Sequence, residues 1–329
     1  MNAGRYLITG GASLIGSHLA DHLLASGASE VVLLDNFALG TPQSVGHLSG
    51  DSRVRMLKGD VLRLGELIDA CAGMDGIFAL AGFLTLPLSQ NPALGVEVNA
   101  MGLLNTMEAA RLAKVRRVVF ASSVSVYGNV ASDRMHEATA FHGAGLTPAS
   151  AVYSASKLLG EAVGVMYSHK GTVEFNALRF SSVYGERQHA RAVNALFLAQ
   201  AYEKIRQGER PVIVGDGSEV HDYIHVHDVA AGCAAAMTAK PHGEVFNIVT
   251  GTDTTHTDAV NLLLRISGRP GLEALYEEDK RVVRSSSVER LNFDPSKAAQ
   301  MLDWRAAIVL EEGLRRYVAW RETQERAGA

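Results

Sequence analysis

Thr9-Gly10-Gly11-Ala12-Ser13-Leu14-Ile15-Gly16 is the stretch on which the reading of this chain turns. A short apolar run, Arg5–Thr9, precedes it. Leu14–Ala25 follows, with Leu19, Leu23 and Leu24 near one helical face. Strand, glycine turn and helix in that order open a βαβ unit. Gly10 permits the tight turn, and Gly16 lets the helix pack against a sheet. The helix N-terminus, at Ser13, Leu14 and Ile15, offers free N–H groups and partial positive charge to a pyrophosphate. Asp35 then closes the next apolar run, 31–34. A carboxylate there accepts hydrogen bonds from adenosine ribose hydroxyls and repels a 2′-phosphate, which favours NAD over NADP. The competing reading is an ordinary glycine-rich turn with a solvent-facing Asp, and the order of the three features disfavours it.

Further along, Val54–Lys58, 76–80, 117–121 and 174–179 read as strands. Leu64–Cys71, 96–113 and 154–168 read as helices, and a loop follows residue 80. Continuous apolar strands alternating with helices predict a parallel sheet covered on both faces. The expected fold class is α/β: a Rossmann-type doubly wound sheet with a smaller mixed C-terminal substrate lobe. Residues 1–180 are expected to form the NAD-binding domain. Residues 181–329 are expected mainly to bind substrate, with segments around 222–250 returning to the sheet. In the second part 192–207 and Val226–Thr238 read as helical, and Val212–Val214 and 244–249 as extended. Thr255 with Asp258 marks a capping box.

Composition narrows the function. Of 329 residues 47% are hydrophobic and 20% charged, so the chain can bury a core. The net charge of −4 is spread over both signs, with no basic stripe for nucleic acid or an anionic membrane. No signal segment and no membrane-spanning run is read, and a cytoplasmic protein is expected. Cys71 and Cys233 are far apart and read as buried reduced thiols.

Tyr153-Ser154-Ala155-Ser156-Lys157 places a phenol and an ammonium four residues apart on one helical face. A Lys⁺ and a positive nicotinamide nearby are expected to lower the phenol's pKa, so that Tyr153 takes a proton from a hydroxyl. Such a pair is often structural. Here a serine-rich segment, 122–128, follows the strand ending at residue 121, where strand C-termini line a ligand crevice. Ser123 is placed to donate to the reacting oxygen, while Ser122 and Ser125 read as turn residues. Asp60 reads equally well as an adenine contact or as a helix cap.

Together these segments resemble the extended short-chain dehydrogenase/reductase family, and within it the nucleotide-sugar epimerases and dehydratases. The resemblance runs over nearly the whole chain: 9–16, 35–37, 59–61, Asn91-Pro92 with Asn99 and Gly102, 122–128, 153–157, Arg179 with 183–185, 215–228, and a tail with 294–297, 302–304 and 310–314. It implies a catalytic set of Ser123, Tyr153 and Lys157. It implies NAD held by Gly10, Ser13, Leu14, Ile15, Gly16, Asp35, Asn36, Asp60, Val61, Leu80, Ala81 and Asn99 as well as Tyr153 and Lys157. It also implies a homodimer built on the 96–113 and 154–168 helices. Dehydrating relatives usually carry Asp-Glu where this chain has Val124-Ser125, and decarboxylating ones carry Glu at the second position. Neither carboxylate is present here, so epimerisation or simple oxidation is implied.

Three departures bear on the substrate. Ser13 replaces the family's middle glycine, Ser182 its usual asparagine, and His221 the arginine that grips a diphosphate. The stretch 83–88, with Leu84, is unusually apolar. Either a nucleotide is held differently, through Arg187, Arg191 and Arg284, or the substrate is not nucleotide-linked. Leu84, Ser125, Ser182, Arg187, Arg191, His221 and Arg284 are the expected substrate contacts. The leading expectation is a nucleotide-sugar 4-epimerase; the alternatives are a dehydrogenase of a free sugar, sugar acid or cyclitol, and a silent NAD-binding regulator. His221, His225 and His227 with Asp222 and Asp228 resemble metal ligands, but no metal is expected. His18 and His22 read as an exposed polar face.

Overall fold

The computed structural model describes residues 3–130, 134–188, 196–279 and 291–328. Seven strands, β1 (Arg5–Thr9), β2 (Glu30–Asp35), β3 (Val54–Lys58), β4 (Gly76–Ala79), β5 (Arg117–Ser123), β6 (Glu174–Phe180) and β7 (Glu244–Ile248), form one sheet in the order β7-β6-β5-β4-β1-β2-β3. Every pairing is parallel. Neighbouring strand residues point to opposite faces, and here both faces are apolar. Ile8, Leu33, Phe78 and Phe246 therefore enter one core, and Leu7, Val32, Ile77 and Phe175 the other.

Helices cover both cores. α1 (Leu14–Ala25) lies on one face; α2 (Leu64–Cys71), α3 (Leu103–Leu112) and α4 (Pro148–His169) lie on the other. α5 (Val226–Thr238) joins α1, packing Val229, Cys233 and Met237 into the first core. The chain order reverses between β1 and β4, so the loops after these strands diverge and open a crevice at their C-terminal ends. A second lobe holds small two-stranded sheets: Val220–His221 with Thr254–Thr255, Val212–Val214 with Leu275–Glu277, and Ser182–Tyr184 with Tyr223–His225. Its core contains Leu198, Tyr202, Ile213, Leu263 and Tyr317.

Four local expectations need correction. The 96–113 helix is not continuous: a π-helical stretch, Glu97–Gly102, separates Pro92–Val96 from α3. That wider turn aims Asn99 inward, where it binds both backbone groups of Phe83. α4 starts at Pro148 rather than 154, because Thr147 caps Ser150 N–H and proline fits the first helical turn. The apolar stretch after residue 80 contains a short helix, Thr85–Gln90, which buries Pro87 and Leu88. His18 is buried, not exposed, because α5 lies over that face of α1. The two cysteines are free and buried. No described helix is long and apolar enough to cross a membrane.

Candidate active site

Gly10 turns with φ +71°, a conformation that L side chains rarely adopt. Its N–H and that of Gly11 bind Leu34 O at 2.8 and 3.2 Å, which ties the turn to β2. At Gly16 any Cβ would collide with the Gly10 carbonyl, so this residue sets how closely α1 approaches the turn. Ser13 is the N-cap of α1 and accepts the Gly16 N–H at 3.1 Å. Its hydroxyl thus completes the turn from within. Ser13, Leu14 and Ile15 then line a groove that runs across the crevice.

Asp35 stands at the end of β2 on the wall of this groove. Its Oδ2 accepts Ala12 N–H at 2.9 Å and its Oδ1 accepts Phe37 N–H at 2.7 Å. Each oxygen retains a lone pair for a ribose hydroxyl. Burial raises the carboxyl above its ordinary value, against those two N–H bonds. Asn36 donates to Asp60 Oδ2 at 3.1 Å, and Asp60 Oδ1 accepts Leu62 N–H at 2.9 Å. Asp60 therefore holds its own turn and also faces the groove, but it is not the cap of α2, whose N-cap is Arg63. Val61, Leu80 and Ala81 line the same groove. Gly16 and Asn99 sit behind the wall. Asn99 binds Phe83 and Ser156 with its side chain, so it shapes the groove instead of lining it. A dinucleotide fits this groove. One end offers paired carboxylates for ribose and adenine, the middle offers a helix N-terminus for a pyrophosphate, and the far end reaches Tyr153.

At that far end α4 delivers Tyr153 and Lys157 to the C-terminus of β5, where Ser123 ends the strand. Two glycines explain the close approach. A Cβ on Gly160 would lie 2.7 Å from the Phe120 ring, and one on Gly164 would overlap Phe175. Ser123 and Tyr153 both line the groove at this point, and the Ser123 hydroxyl favours the phenolate. Lys157 Nζ donates to Ala121 O at 2.9 Å and lies 5.8 Å from the centre of the Tyr153 ring. Burial pushes the Tyr153 phenol up to about 12, with Ser123 opposing. Burial also brings the Lys157 ammonium down to about 8, with Glu161 opposing. The lowering expected of Lys157 and nicotinamide together belongs to the NAD-bound site; without NAD, burial sets the direction for the phenol. Both groups are buried, and desolvation favours the neutral form of each.

Beyond Tyr153 the groove opens into a second cavity between the lobes. Leu84, Ser125, Ser182 and His221 line it. Ser125 Oγ is buried there with no hydrogen-bond partner among the described residues. Ser182 and His221, two of the three departures, are in contact: Ser182 Oγ lies 3.0 Å from His221 Nδ1. Glu219 Oε1 is 3.0 Å from His221 Nε2, and His256 stacks on His221 with ring centroids 4.8 Å apart.

Arg187 is elsewhere. It reaches back to α1, pairing with Asp21 at 2.6 Å and with His47 at 3.1 Å, because the backbone turns with φ +61° at this residue. Arg191 and Arg284 lie outside the described residues. Sequence reasoning missed Glu161. It accepts from Arg179 Nε and Nη2 at 2.9 and 2.7 Å and from the Ser122 hydroxyl, so Ser122 is a buried strand residue and not a turn residue. The signal was present: Glu161 lies four residues beyond Lys157 on the same helical face.

The model of the NAD dependent epimerase/dehydratase family matches residues 6–249. The UDP-glucose 4-epimerase of Mycolicibacterium smegmatis is 32% identical over 321 residues, 95% of this chain and 97% of that protein. Among solved structures, the Thermotoga maritima UDP-glucose 4-epimerase with UDP-glucose superposes with a TM-score of 0.86 at 27% identity, covering 99% of this chain and 100% of that one. A double mutant of the dTDP-glucose 4,6-dehydratase from Streptomyces venezuelae, with NAD bound, reaches 0.85 at 26% identity over 98% of each chain. Epimerases and dehydratases stand at similar distances from this chain.

Proposed function

The chain belongs to the NAD-dependent epimerase/dehydratase family of enzymes, with NAD as its cofactor, and from that premise we propose that it is a nucleotide-sugar 4-epimerase. One observation carries the choice within the family. Ser123 and Tyr153 meet where the groove opens into the second cavity, and the next residues, Val124 and Ser125, bring no carboxylate. Loss of water from a sugar needs an acid and a base beside the reacting carbons, and neither valine nor serine supplies them at neutral pH.

The groove from Asp35 past Ser13–Ile15 to Tyr153 would hold NAD, which would supply a hydride acceptor and donor beside the sugar carbon. Tyr153 Oη takes the proton of the 4-hydroxyl in the first half of the cycle and gives it back in the second. Ser123 Oγ, which lines the same part of the groove as Tyr153, shares the reacting oxygen. Lys157, tied to Ala121 O, keeps its ammonium beside the phenol. Ser125 Oγ, unbonded among the described residues, is ready for a sugar hydroxyl. Ser182 and His221 take the nucleotide side of the cavity.

The functional unit we propose is a homodimer. Val152, Leu159 and Met166 are spaced seven apart along α4 and are 40%, 50% and 46% exposed; Met101 and Leu112 flank them on the neighbouring segment. Such a stripe fits the same stripe on a second copy.

The test is to offer UDP-glucose, UDP-N-acetylglucosamine and UDP-glucuronate to the purified protein, following absorbance at 340 nm and the product sugar. An epimer without net cofactor reduction supports the proposal. Net reduction points to a dehydrogenase, and a 6-deoxy-4-keto product points to a dehydratase.

A further inference from the structure

Glu186 Oε2 is shut off from solvent and makes no hydrogen bond, yet three imidazoles surround it. His225 Nε2 is 3.2 Å away, in an ion-pair contact without hydrogen-bond geometry. His227 Nε2 is 3.9 Å away and His18 Nε2 4.0 Å. These residues come from three separate segments: α1, the turn after Ser182–Tyr184, and the first turn of α5. None of them belongs to the groove or the second cavity. We propose that His18, Glu186 and His227 form a site for a divalent transition-metal ion, with zinc as its simplest occupant.

The donor atoms of His18, Glu186 and His227 all lie within 4.8 Å of one another. A tetrahedral zinc with bonds of ~2.0–2.1 Å sets its ligand atoms ~3.3 Å apart, so small side-chain rotations close the set. The tautomer is already right for binding. His18 Nδ1 is 2.9 Å from Leu14 O, a carbonyl that can only accept, so Nδ1 carries the proton and Nε2 presents its lone pair.

Two imidazoles and one carboxylate match zinc and its first-row neighbours, not magnesium or calcium, which take oxygen ligands. His225, fully buried, supports Glu186 from behind. His227 is nearly half exposed and opens the site to solvent. The nearby Arg187 charge is offset by Asp21 at 2.6 Å. A bound ion would clamp α1 to α5 one turn beyond Leu14, which lines the groove.

The test uses the tag-free full-length protein, stripped with chelator and titrated with Zn²⁺ by calorimetry. Co²⁺ absorption reports the geometry and thermal unfolding the stability. Wild type is expected to bind one ion per chain, to show the visible bands of four-coordinate cobalt, and to melt higher with zinc. His227→Ala, at an exposed position, and Glu186→Gln should each weaken binding by at least ~10-fold and abolish the melting shift. His256→Ala removes a member of the other imidazole–carboxylate cluster, Glu219–His221–His256, and should leave zinc affinity and the zinc-induced melting shift as in wild type. Three results would overturn the proposal: no zinc binding by wild type, equal binding by both variants, or loss of binding only in His256→Ala.

Discussion

Tyr153 and Lys157 titrate in opposite directions from their ordinary values, and one cause, burial, moves both. With the phenol at about 12 in the cofactor-free protein, little phenolate forms at neutral pH, and a cation entering the site favours it. Positive nicotinamide is such a cation. Adding oxidised NAD should therefore lower the Tyr153 transition, seen as phenolate absorbance appearing at lower pH, and Tyr153→Phe should erase that signal. The same variant should lose ~10²-fold or more of turnover while still binding NAD by calorimetry; unchanged turnover would remove the phenol from the mechanism. Lys157 has the reverse sign. Its folded pKa of about 8 lies below the ordinary lysine value of 10.5, so the unfolded chain binds more protons between those values. Stability of the cofactor-free protein should rise with pH across that window. Lys157→Met should be inactive yet more stable at pH 7 by about 1–3 kcal/mol in denaturant melts. At His221, replacement by arginine supplies a permanent forked cation and should tighten UDP binding by calorimetry. Phenol, ammonium and serine could be recognised from their spacing. Their titration could not, because desolvation depends on what packs around them and not on which residues stand four apart.

At the scale of elements, the site depends on how closely α4 lies on the sheet. Gly164→Ala puts a Cβ into the Phe175 ring and should cost about 1–3 kcal/mol by denaturant unfolding. It should also lower turnover, because Tyr153 and Lys157 ride on the same helix. Glu161 and Arg179 hold that helix to β6 through a buried pair with side chains 8% and 7% exposed. Glu161→Leu leaves the guanidinium buried without its counter-charge, which costs about 3–5 kcal/mol. β1, β2, β5 and β6 were legible because each is short, largely apolar and ends at or just before Gly, Asp or Ser. The π-helical stretch was not, since its register keeps the apolar spacing of an ordinary helix. Asn99 turns inward there only because Phe83 needs partners for its N–H and carbonyl. Arg187 misled for a related reason. A cation near an expected substrate lobe reads as an anion grip, but the left-handed backbone at 187 sends it to Asp21.

For the whole molecule, the parallel sheet followed from the alternation of elements, and the crevice from the reversal of strand order. What the alternation does not encode is how distant segments meet. The contact of Ser182 with His221, and the convergence of His18, Glu186 and His227, join residues that no local pattern pairs. The stripe at 152, 159 and 166 belongs to this scale too. Leu159→Glu should shift the protein from dimer to monomer in sedimentation, and a dimer that persists would place the contact elsewhere. The central claim is that one carbon is oxidised and then reduced within a single site. It is tested most directly with UDP-glucose deuterated at C4, with the label of the product followed by NMR. UDP-galactose with deuterium retained at C4 and no lasting change at 340 nm is expected. Deuterium that leaves C4, whether into solvent, to C6 of a deoxy sugar or into released cofactor, would contradict it.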